Sequence, residues 1–549
     1  MNNMKKILTG LALVSGMASF AQQKSIDTIV FKISQQANNM ISSGNKINNN
    51  PAIADTVRPT RKVDYNLTYN QFPTAYTPQS LSAIQLKGEP LDKLQHSMLN
   101  IGGGNYNTLY AEYFFNSVRS RDWDYGAHLN HLSSEAMYND KVPSGFSYND
   151  VNLFGKKYMG EHTLYAEANY DEHVVHDYGY NNFNNEIKDN NTTRERYGLF
   201  SGMVRFTSQY KDSSKISHDI ALNYYNYSDI HGVGENGFDA GAHLFTFIQQ
   251  QKVDVNAGVK YIGDDNSLGN TSTVQLRFNP YFSTIERHWD AHIGLKTFME
   301  SETTGSKFSV FPDLVVRYHV ANNALIIFAG IDGNEEYNSF RTLSTMNPYV
   351  QDTLAQKYTR TSYHAFGGFT GTITNNLSYN LSGAMSEVKN VPLFVTDTNE
   401  FLANRFTVVY DDVRILNLHG DVDYQWKKDL RISLGADWFQ YTTTNQVKAW
   451  YHPDYKINLT GEYTIKNKYI IKAEAYVLGA QYAPRTTGGV LSAKEIAAYP
   501  DINLGLDYKY NKFFTAFIHL NNIANKAYEQ WDNYPTQQFN FMAGLRLTF

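Results

Sequence analysis

Pairs of histidines close together in the sequence are the first candidates for chemistry, because imidazole nitrogens bind transition metals. His173 and His176 form one such pair, and His128 and His131 form another. Residues three positions apart on a strand face opposite sides, so neither pair can close on one ion without a bulge. We therefore expect no metal-ligating residues in this chain.

A glycine run and the hydroxyl-bearing residues raise two further options. The run at 102–104 is followed by Asn105 and lacks the lysine and helix of a phosphate-binding loop, so we interpret it as a hairpin turn. A hydrolase would need a serine and a histidine with an orienting carboxylate or amide, and no segment groups these residues. The chain has no cysteine, which excludes disulfides and thiolate sites. We expect no catalytic residue, no cofactor and no enzymatic activity.

The sequence at the end of the chain indicates the type of secondary structure that positions the side chains of this protein. Residues 537–549 alternate between two faces, of which one is apolar and the other, Met542 apart, is polar and includes Arg546. The apolar face consists of Phe539, Phe541, Ala543, Leu545, Leu547 and the terminal Phe549. This pattern predicts a strand with lipid on one side and water on the other.

Internal segments repeat the two-residue period and are joined by connections of two lengths. Val253 and Val255 alternate with Asp254 and Asn256, for example. Short polar turns such as 467–468 are each followed by a longer connection. Examples of the longer connections are 263–272, 300–311, 335–362 and 387–405. Short periplasmic turns and long extracellular loops predict an all-β, antiparallel transmembrane barrel of about 22 strands, within two, over 97–549.

Composition agrees with a barrel and excludes other classes. Mean hydropathy is -0.46 and 18% of residues are charged, as expected when the apolar band occupies only alternate residues. The 41 tyrosines and 32 phenylalanines suit aromatic girdles at the membrane interfaces. A net charge of -5 gives no basic stripe, so we expect no nucleic-acid partner.

The first 96 residues read as an export signal and a tail. Lys5 and Lys6 precede a short apolar run that ends at small residues, which predicts a signal peptide at 1–21 cleaved after Ala21. Residues 22–96 contain an Asn-rich and Ser-rich stretch and scattered prolines. They predict an extended tail, periplasmic or luminal, rather than a folded domain.

The closing sequence resembles a known family. Residues 519–528 read HLNNIANKAY, 533–535 read NYP, and the final strand ends in Phe549. This stretch is similar to the end of TonB-dependent receptors of the Bacteroidota type, which implies a Gram-negative outer membrane as the location. The resemblance also implies that the barrel-assembly machinery reads the terminal phenylalanine and that outer-membrane lipid surrounds the wall.

The tail departs from that family at the plug. A receptor plug is a globular domain of well over 100 residues, whereas only about 75, residues 22–96, lie between the predicted cleavage site and the first strand here. One short segment does match, since Asp27, Thr28, Ile29, Val30 and Phe31 resemble a TonB box, which pairs with TonB by strand addition. The resemblance thus makes TonB an implied partner of a barrel that lacks its own plug.

Three functions follow from these features. The first interpretation is a non-enzymatic, plugless barrel that acts as a subunit of an outer-membrane complex with a protein partner, in import, secretion or barrel assembly. The alternative is a substrate-binding outer-membrane transporter or channel for a nutrient, coupled to TonB. The third is a barrel enzyme. A lumen of this width would leak solutes, so the tail, the long loops or a partner should occlude it.

Overall fold

A computed structural model describes residues 94–549, except 119, 139–141, 181–192, 213, 250, 267–268, 303–304, 322, 398–402 and 488–489. The predicted signal peptide with its cleavage at Ala21 lies outside the described residues. The TonB-box-like segment at 27–31 and nearly all of the predicted tail lie outside them as well.

The described residues form one 22-stranded antiparallel sheet in which strands adjacent in sequence are paired. We number these wall strands β1 to β22. They are β1 (Ser97–Gly104), β2 (Leu109–Asn116), β3 (Trp123–Ser134), β4 (Phe146–Met159), β5 (His162–His176), β6 (Arg194–Ser208), β7 (Ser217–Ser228), β8 (Gly234–Ile248), β9 (Gln251–Asn266), β10 (Gly269–Ile285), β11 (Trp289–Glu302), β12 (Gly305–His319), β13 (Ile326–Tyr337), β14 (Tyr358–Thr374), β15 (Leu377–Thr396), β16 (Phe406–Trp426), β17 (Leu430–Thr443), β18 (Tyr455–Ile465), β19 (Tyr469–Leu478), β20 (Tyr499–Lys509), β21 (Phe514–Asn521) and β22 (Asn540–Thr548).

The first and last strands join the sheet into a ring. Strand β22 pairs antiparallel with β1, from Met98 opposite Thr548 to Gly104 opposite Met542. The backbone N–H of Phe549 also donates to the carbonyl oxygen of Ser97 at 2.9 Å. The predicted fold class, a closed antiparallel barrel of about 22 strands, is confirmed.

The wall shows the two faces that the alternation predicts. On β17, Leu434 and Trp438 lie on the outer face and are 44% and 43% exposed. Asp437 lies between them in sequence and points inward, and its carboxylate is 2.9 Å from Nδ1 of His419 on β16. On β22, Phe541, Leu545 and Leu547 are exposed outward. An apolar exterior and a hydrogen-bonded polar interior are the arrangement that a barrel in lipid requires.

The connections differ in length at the two ends of the barrel. At the short-turn end, Lys466 and Asn467 both have positive φ, as a two-residue hairpin turn demands. At the long-loop end, three short hairpins stand outside the main sheet. They are Met137–Tyr138 with Val142–Pro143, Gln481–Thr487 with Val490–Ile496, and Glu529–Trp531 with Tyr534–Pro535.

Three predicted loops were largely wrong. Strands β9 to β12 continue almost to their turns, so 263–272 and 300–311 are mostly paired strand. Strand β15 likewise extends to Thr396. Their sequences are polar because these strand ends lie beyond the apolar band, and cross-strand hydrogen bonds still satisfy the backbone there.

The loop between β13 and β14 contains helix α1 (Phe340–Met346). The side-chain oxygen of Ser339 caps it by accepting a hydrogen bond from the N–H of Thr342 at 3.3 Å. Among the described residues, no helix has the length and apolar character needed to cross a bilayer.

Two neighbouring positions on β17 test the assignment of faces. Leu434→Arg places a charge on the outer face and should cost about 2–4 kcal/mol of unfolding free energy in lipid vesicles. Gly435→Arg is the matched control, because its side chain would point inward where no heavy atom lies within 4 Å of an added Cβ. Urea unfolding of both variants measures the difference. Equal losses would contradict the assignment of an outer and an inner face.

Candidate functional site at the long-loop end

Loops from around the ring meet in one buried cluster at the long-loop end. We call the described residues of the loops 135–145, 177–193, 338–357, 397–405, 444–454, 479–498 and 522–539 the loop cap. The buried cluster, which also includes strand ends, contains Val142, Tyr178, Tyr180, Tyr197, Tyr225, Tyr227, Val233, Phe340, Leu343, Val350, Leu354, Leu393, Phe394, Phe406, Val408, Trp450, Tyr451, Ala483, Ile496 and Tyr534. The cap therefore has a hydrophobic core of its own, separate from the lipid-facing surface.

Tyr534 lies at the centre of this core and is 2% exposed. Its ring stacks on Tyr349 with centroids 3.8 Å apart and meets Tyr178 edge-on at 4.9 Å. Its hydroxyl donates to the carbonyl oxygen of Asn404. One side chain thus ties together four loops, and aromatic pairs in these geometries add stability beyond their buried area.

Several hydrogen bonds join loops from distant parts of the ring. The hydroxyl of Tyr178, after β5, donates to the carbonyl oxygen of Pro535, before β22, at 3.0 Å. Tyr197 on β6 donates to the carbonyl oxygen of Pro348, after β13, at 2.8 Å. Since β5 and β15 lie ten strands apart in a ring of 22, a contact between the loops that follow them crosses the mouth.

Such a contact is made by Arg405, which follows β15. Its Nε donates to Asp177, after β5, at 2.9 Å, and its Nη2 to Glu195, at the start of β6, at 3.1 Å. Its Nη1 reaches Asp352 in the 338–357 loop at 3.3 Å, and Nη2 lies 3.0 Å from Nε2 of His231. One guanidinium thus faces three carboxylates and an imidazole from four parts of the chain.

The electrostatics of this cluster favour a cation. Burial alone would lower the pKa of Arg405, but the charges of Asp177, Glu195 and Asp352 raise it above its ordinary value. Burial raises the pKa of the nearby Asp229 carboxyl, and hydrogen bonds from the backbone N–H groups of Val233 and His231 oppose that rise. The mouth therefore gathers several carboxyl groups around one arginine, and a further cation would stabilise their charged forms.

A second ion pair joins two of the cap hairpins. Lys494, in the 479–498 loop, binds Asp532 and lies 3.4 Å from Glu529, both in the 522–539 loop. Burial would lower the pKa of Lys494, but the hydrogen bond and charge of Asp532 raise it. Partly buried pairs like this one fix the register of the hairpins in addition to the aromatic packing.

The luminal wall below the cap is lined by paired charges. Arg277 binds Asp239 at 2.6 Å, and Arg546 lies 3.3 Å from Asp507. Histidines pair with carboxylates on neighbouring strands in the same way. These pairs are His128 with Glu112, His243 with Asp254, His292 with Asp313, His319 with Asp290, His364 with Asp332, His419 with Asp437 and His519 with Asp507. The wall is a fixed polar surface in which each of these carboxylates lies beside an arginine or a histidine.

The histidine pairs singled out in the sequence do not converge. His128 lies 3.1 Å from Glu112, whereas Nδ1 of His131 bonds to Asn149 on another strand. His173 stacks on Tyr148, and Nδ1 of His176 lies 2.8 Å from the carbonyl oxygen of Gly145.

The cluster that does bring potential metal ligands together was missed by the sequence analysis. Glu195, His231 and Asp352 offer ligand atoms within 4.8 Å of one another. They lie on β6, in the loop after β7 and in the loop after β13, so no sequence spacing connects them. Only the order of strands around the ring, combined with loop lengths, could have suggested that they meet.

Comparisons with known proteins identify the fold. No family model matches the sequence, and no curated protein matches it. Among solved structures, the FrpB iron transporter from Neisseria meningitidis is similar over 84% of this chain and 82% of its own, with a TM-score of 0.66 and 11% identity. The ferric-catecholate import receptor Fiu from E. coli K12 is similar over 83% of this chain and 82% of its own, with a TM-score of 0.62 and 11% identity. The siderophore receptor PirA from Acinetobacter baumannii is similar over 84% of this chain and 81% of its own, with a TM-score of 0.63 and 10% identity. At such identities the likeness shows the fold alone.

Gly179 tests whether the cap is one packed unit. A Cβ at this position would lie 2.1 Å from the ring of Tyr534, so Gly179→Ala forces the central ring to move. Overpacking of this kind costs about 1–3 kcal/mol, which corresponds to roughly a 5- to 150-fold rise in the open population. Trypsin cleavage after Arg405, whose neighbour Phe406 is 1% exposed, should accelerate accordingly.

Gly234→Ala is the matched control for this measurement. Gly234 also lies at the long-loop end, and nothing stands within 4 Å of its added Cβ. Its cleavage rate should equal that of the unchanged protein. Equal rates for Gly179→Ala and Gly234→Ala would show that the loops do not pack as one unit.

Proposed function

We propose that this chain is an outer-membrane transporter that takes up a nutrient through a barrel whose outer mouth is gated by the loop cap. The observation that carries the proposal is the cap itself, in which loops from opposite sides of the ring pack together through Tyr534 and Arg405. A wide lumen closed at one end by a locally packed cover suits regulated passage better than free diffusion.

This proposal favours the alternative drawn from the sequence over the plugless subunit. The similar structures are described as transporters and import receptors. Ser283, His292 and Asp313 do form one hydrogen-bonded group on β10 to β12, with His292 Nδ1 3.3 Å from the serine oxygen and Nε2 3.1 Å from the carboxylate. His292 is one of several histidines paired with carboxylates along the wall, so this group alone does not favour the third option, an enzyme.

The location and partners follow from the same assignment. The apolar outer face suits a barrel surrounded by lipid, and we infer that the membrane is the outer membrane of a Gram-negative bacterium. The resemblance of the closing sequence suggests a bacterium of the Bacteroidota type. We infer that the barrel-assembly machinery inserts the barrel and that TonB drives transport by pairing with the segment at 27–31. Iron chelates are the first substrate class to test, because the FrpB, Fiu and PirA proteins are named for iron, ferric catecholates and siderophores.

Growth under iron limitation tests both the substrate class and the coupling. A host strain lacking the chain should grow more slowly on a ferric catecholate as the sole iron source, and the intact chain should restore growth and uptake of labelled iron. A chain without residues 27–31 should not restore growth or uptake, because TonB could no longer pair with it and supply the energy for releasing the substrate.

Deleting residues 46–50 from the Asn-rich stretch is the matched control and should leave uptake intact. Full uptake by the chain lacking 27–31 would remove TonB from the proposal. Normal growth of the strain lacking the chain would reject iron chelates. Constant recovery with one stoichiometric membrane partner, together with no uptake phenotype, would support the subunit interpretation instead.

A reversible lock tests whether the cap must open. Nε2 of Gln351 donates to the hydroxyl oxygen of Thr407 at 2.8 Å, and the adjacent residues Val350 and Phe406 form a parallel bridge. Bridged strands lie about 4.8 Å apart, which suits a disulfide. Because the chain has no cysteine, Gln351→Cys with Thr407→Cys introduces a single pair. Uptake should stop on oxidation and return on reduction, and each single variant should resemble the unchanged protein. Undiminished uptake by the oxidised pair would show that this loop does not move.

A further inference from the structure

The group of Glu195, His231 and Asp352 combines one imidazole nitrogen with two carboxylates at the mouth of the barrel. Their ligand atoms lie within 4.8 Å of one another. Zinc and similar ions bind histidine nitrogen and carboxylate oxygen at about 2.0–2.2 Å, which places ligand atoms roughly 3–4 Å apart around the ion. The three side chains would need to close by only a small rearrangement to coordinate one ion.

When Glu195 is ionised, the hydrogen bonding in this cluster leaves one contact of His231 unfavourable unless a metal is bound. Nε2 of His231 lies 3.0 Å from a carboxylate oxygen of Glu195 and 3.0 Å from Nη2 of Arg405. If Nε2 carries a proton it suits Glu195 but faces the N–H groups of Arg405. If Nε2 is unprotonated it accepts from Arg405 but faces the lone pairs of Glu195. A metal ion would bind the lone pairs of both the imidazole and the carboxylate.

A third carboxylate, that of Asp229, lies beside these three groups. Asp229 is 7% exposed, and its Oδ1 accepts from the backbone N–H of His231 at 2.9 Å and of Val233 at 2.8 Å. Its Oδ2 is buried and has no hydrogen-bond partner among the described residues. A buried carboxylate oxygen in that state costs free energy unless a cation or donor reaches it.

The charge balance points in the same direction. Folding gathers the carboxyl groups of Asp177, Glu195, Asp229 and Asp352 around a single cationic side chain, that of Arg405. Like charges brought together by folding destabilise the closed arrangement unless a counter-ion joins them. A divalent ion supplies more charge than the guanidinium can.

We propose that Glu195, His231 and Asp352, with Asp229 adjacent, bind a divalent first-row transition-metal ion that displaces the Arg405 guanidinium from Glu195 and His231. The ligands come from β6, from the loop after β7 and from the loop after β13, so the ion fastens loops across the mouth. The imidazole selects such an ion over calcium, which prefers an all-oxygen shell. The site goes beyond the transport function and does not depend on which nutrient is taken up.

Zinc titration of the purified full-length barrel in detergent tests this site. We expect one Zn²⁺ to bind with an affinity that falls at least about tenfold in His231→Gln and in Asp352→Asn, because each loses one coordinating atom. Bound Zn²⁺ should also raise the temperature of heat unfolding, and this rise should vanish in both variants. An equal concentration of Ca²⁺ should not displace it.

Two controls separate the site from other histidines and acids. His131→Gln removes a histidine on β3, outside the cluster, and Asp212→Asn removes an exposed carboxylate in a turn at the other end, so both should bind Zn²⁺ normally. Arg405→Gln should bind Zn²⁺ more tightly, since the competing guanidinium is gone. Heat-modifiable migration on gels verifies that each variant is folded.

Three results would overturn the proposal. The first is no Zn²⁺ binding by the unchanged protein, which would make Arg405 the permanent cation of the cluster. The second is binding that persists unchanged in both His231→Gln and Asp352→Asn, which would place the ion elsewhere. The third is displacement by equimolar Ca²⁺, which would exclude the imidazole as a ligand.

Discussion

The hydrogen-bonding requirement of the backbone is the constraint on which the rest of this structure depends. In hydrocarbon no water is available to satisfy a free N–H or C=O group, so a sheet in a membrane must close on itself. The pairing of β1 with β22 meets this requirement at the seam between the two ends of the barrel. Every other property of the wall, from its alternation to its luminal ion pairs, follows from having two different solvents on the two faces of one closed sheet.

Closure of 22 strands then creates the problem that the loop cap addresses. The lumen of so large a ring is too wide for the wall side chains to fill. Because the strands are antiparallel, all longer connections emerge at the same end, where loops from opposite sides face one another. The distance between Asp177 and Arg405 along the chain is large, but their loops meet at 2.9 Å because the ring brings both to its mouth.

The wall could be predicted from the two-residue period, because alternate residues of each strand face lipid and water and differ in polarity accordingly. The strand number and the final strand ending at Phe549 could therefore be inferred without a structure. The strand ends at 263–272 and 300–311 were mistaken for loops, since beyond the lipid both faces are polar and the alternation vanishes. Paired backbone in water has no compositional signature of its own.

The cap could not be predicted, for a different physical reason. Tyr349 and Tyr534 occur in loops, where an aromatic residue serves equally well as a girdle residue, a ligand contact or a buried core residue. Their stacking at 3.8 Å depends on two loops that are adjacent only after the ring has closed. The same is true of Glu195, His231 and Asp352, whose proximity is a property of the assembled mouth and of no local sequence.

The cap and the wall are stabilised by separate interactions, so the proposed opening of the mouth would leave the barrel intact. The wall is held by cross-strand hydrogen bonds, whereas the cap is held by aromatic packing around Tyr534 and by charge pairs. Its closed form also gathers acidic groups around Arg405, whose mutual repulsion opposes the packing. A region held by a modest balance of opposing terms opens locally, at a free energy well below that of global unfolding. A change of charge among those acidic groups would therefore shift the equilibrium between the closed and open forms of the cap. The hydrogen bonds between the wall strands would not change.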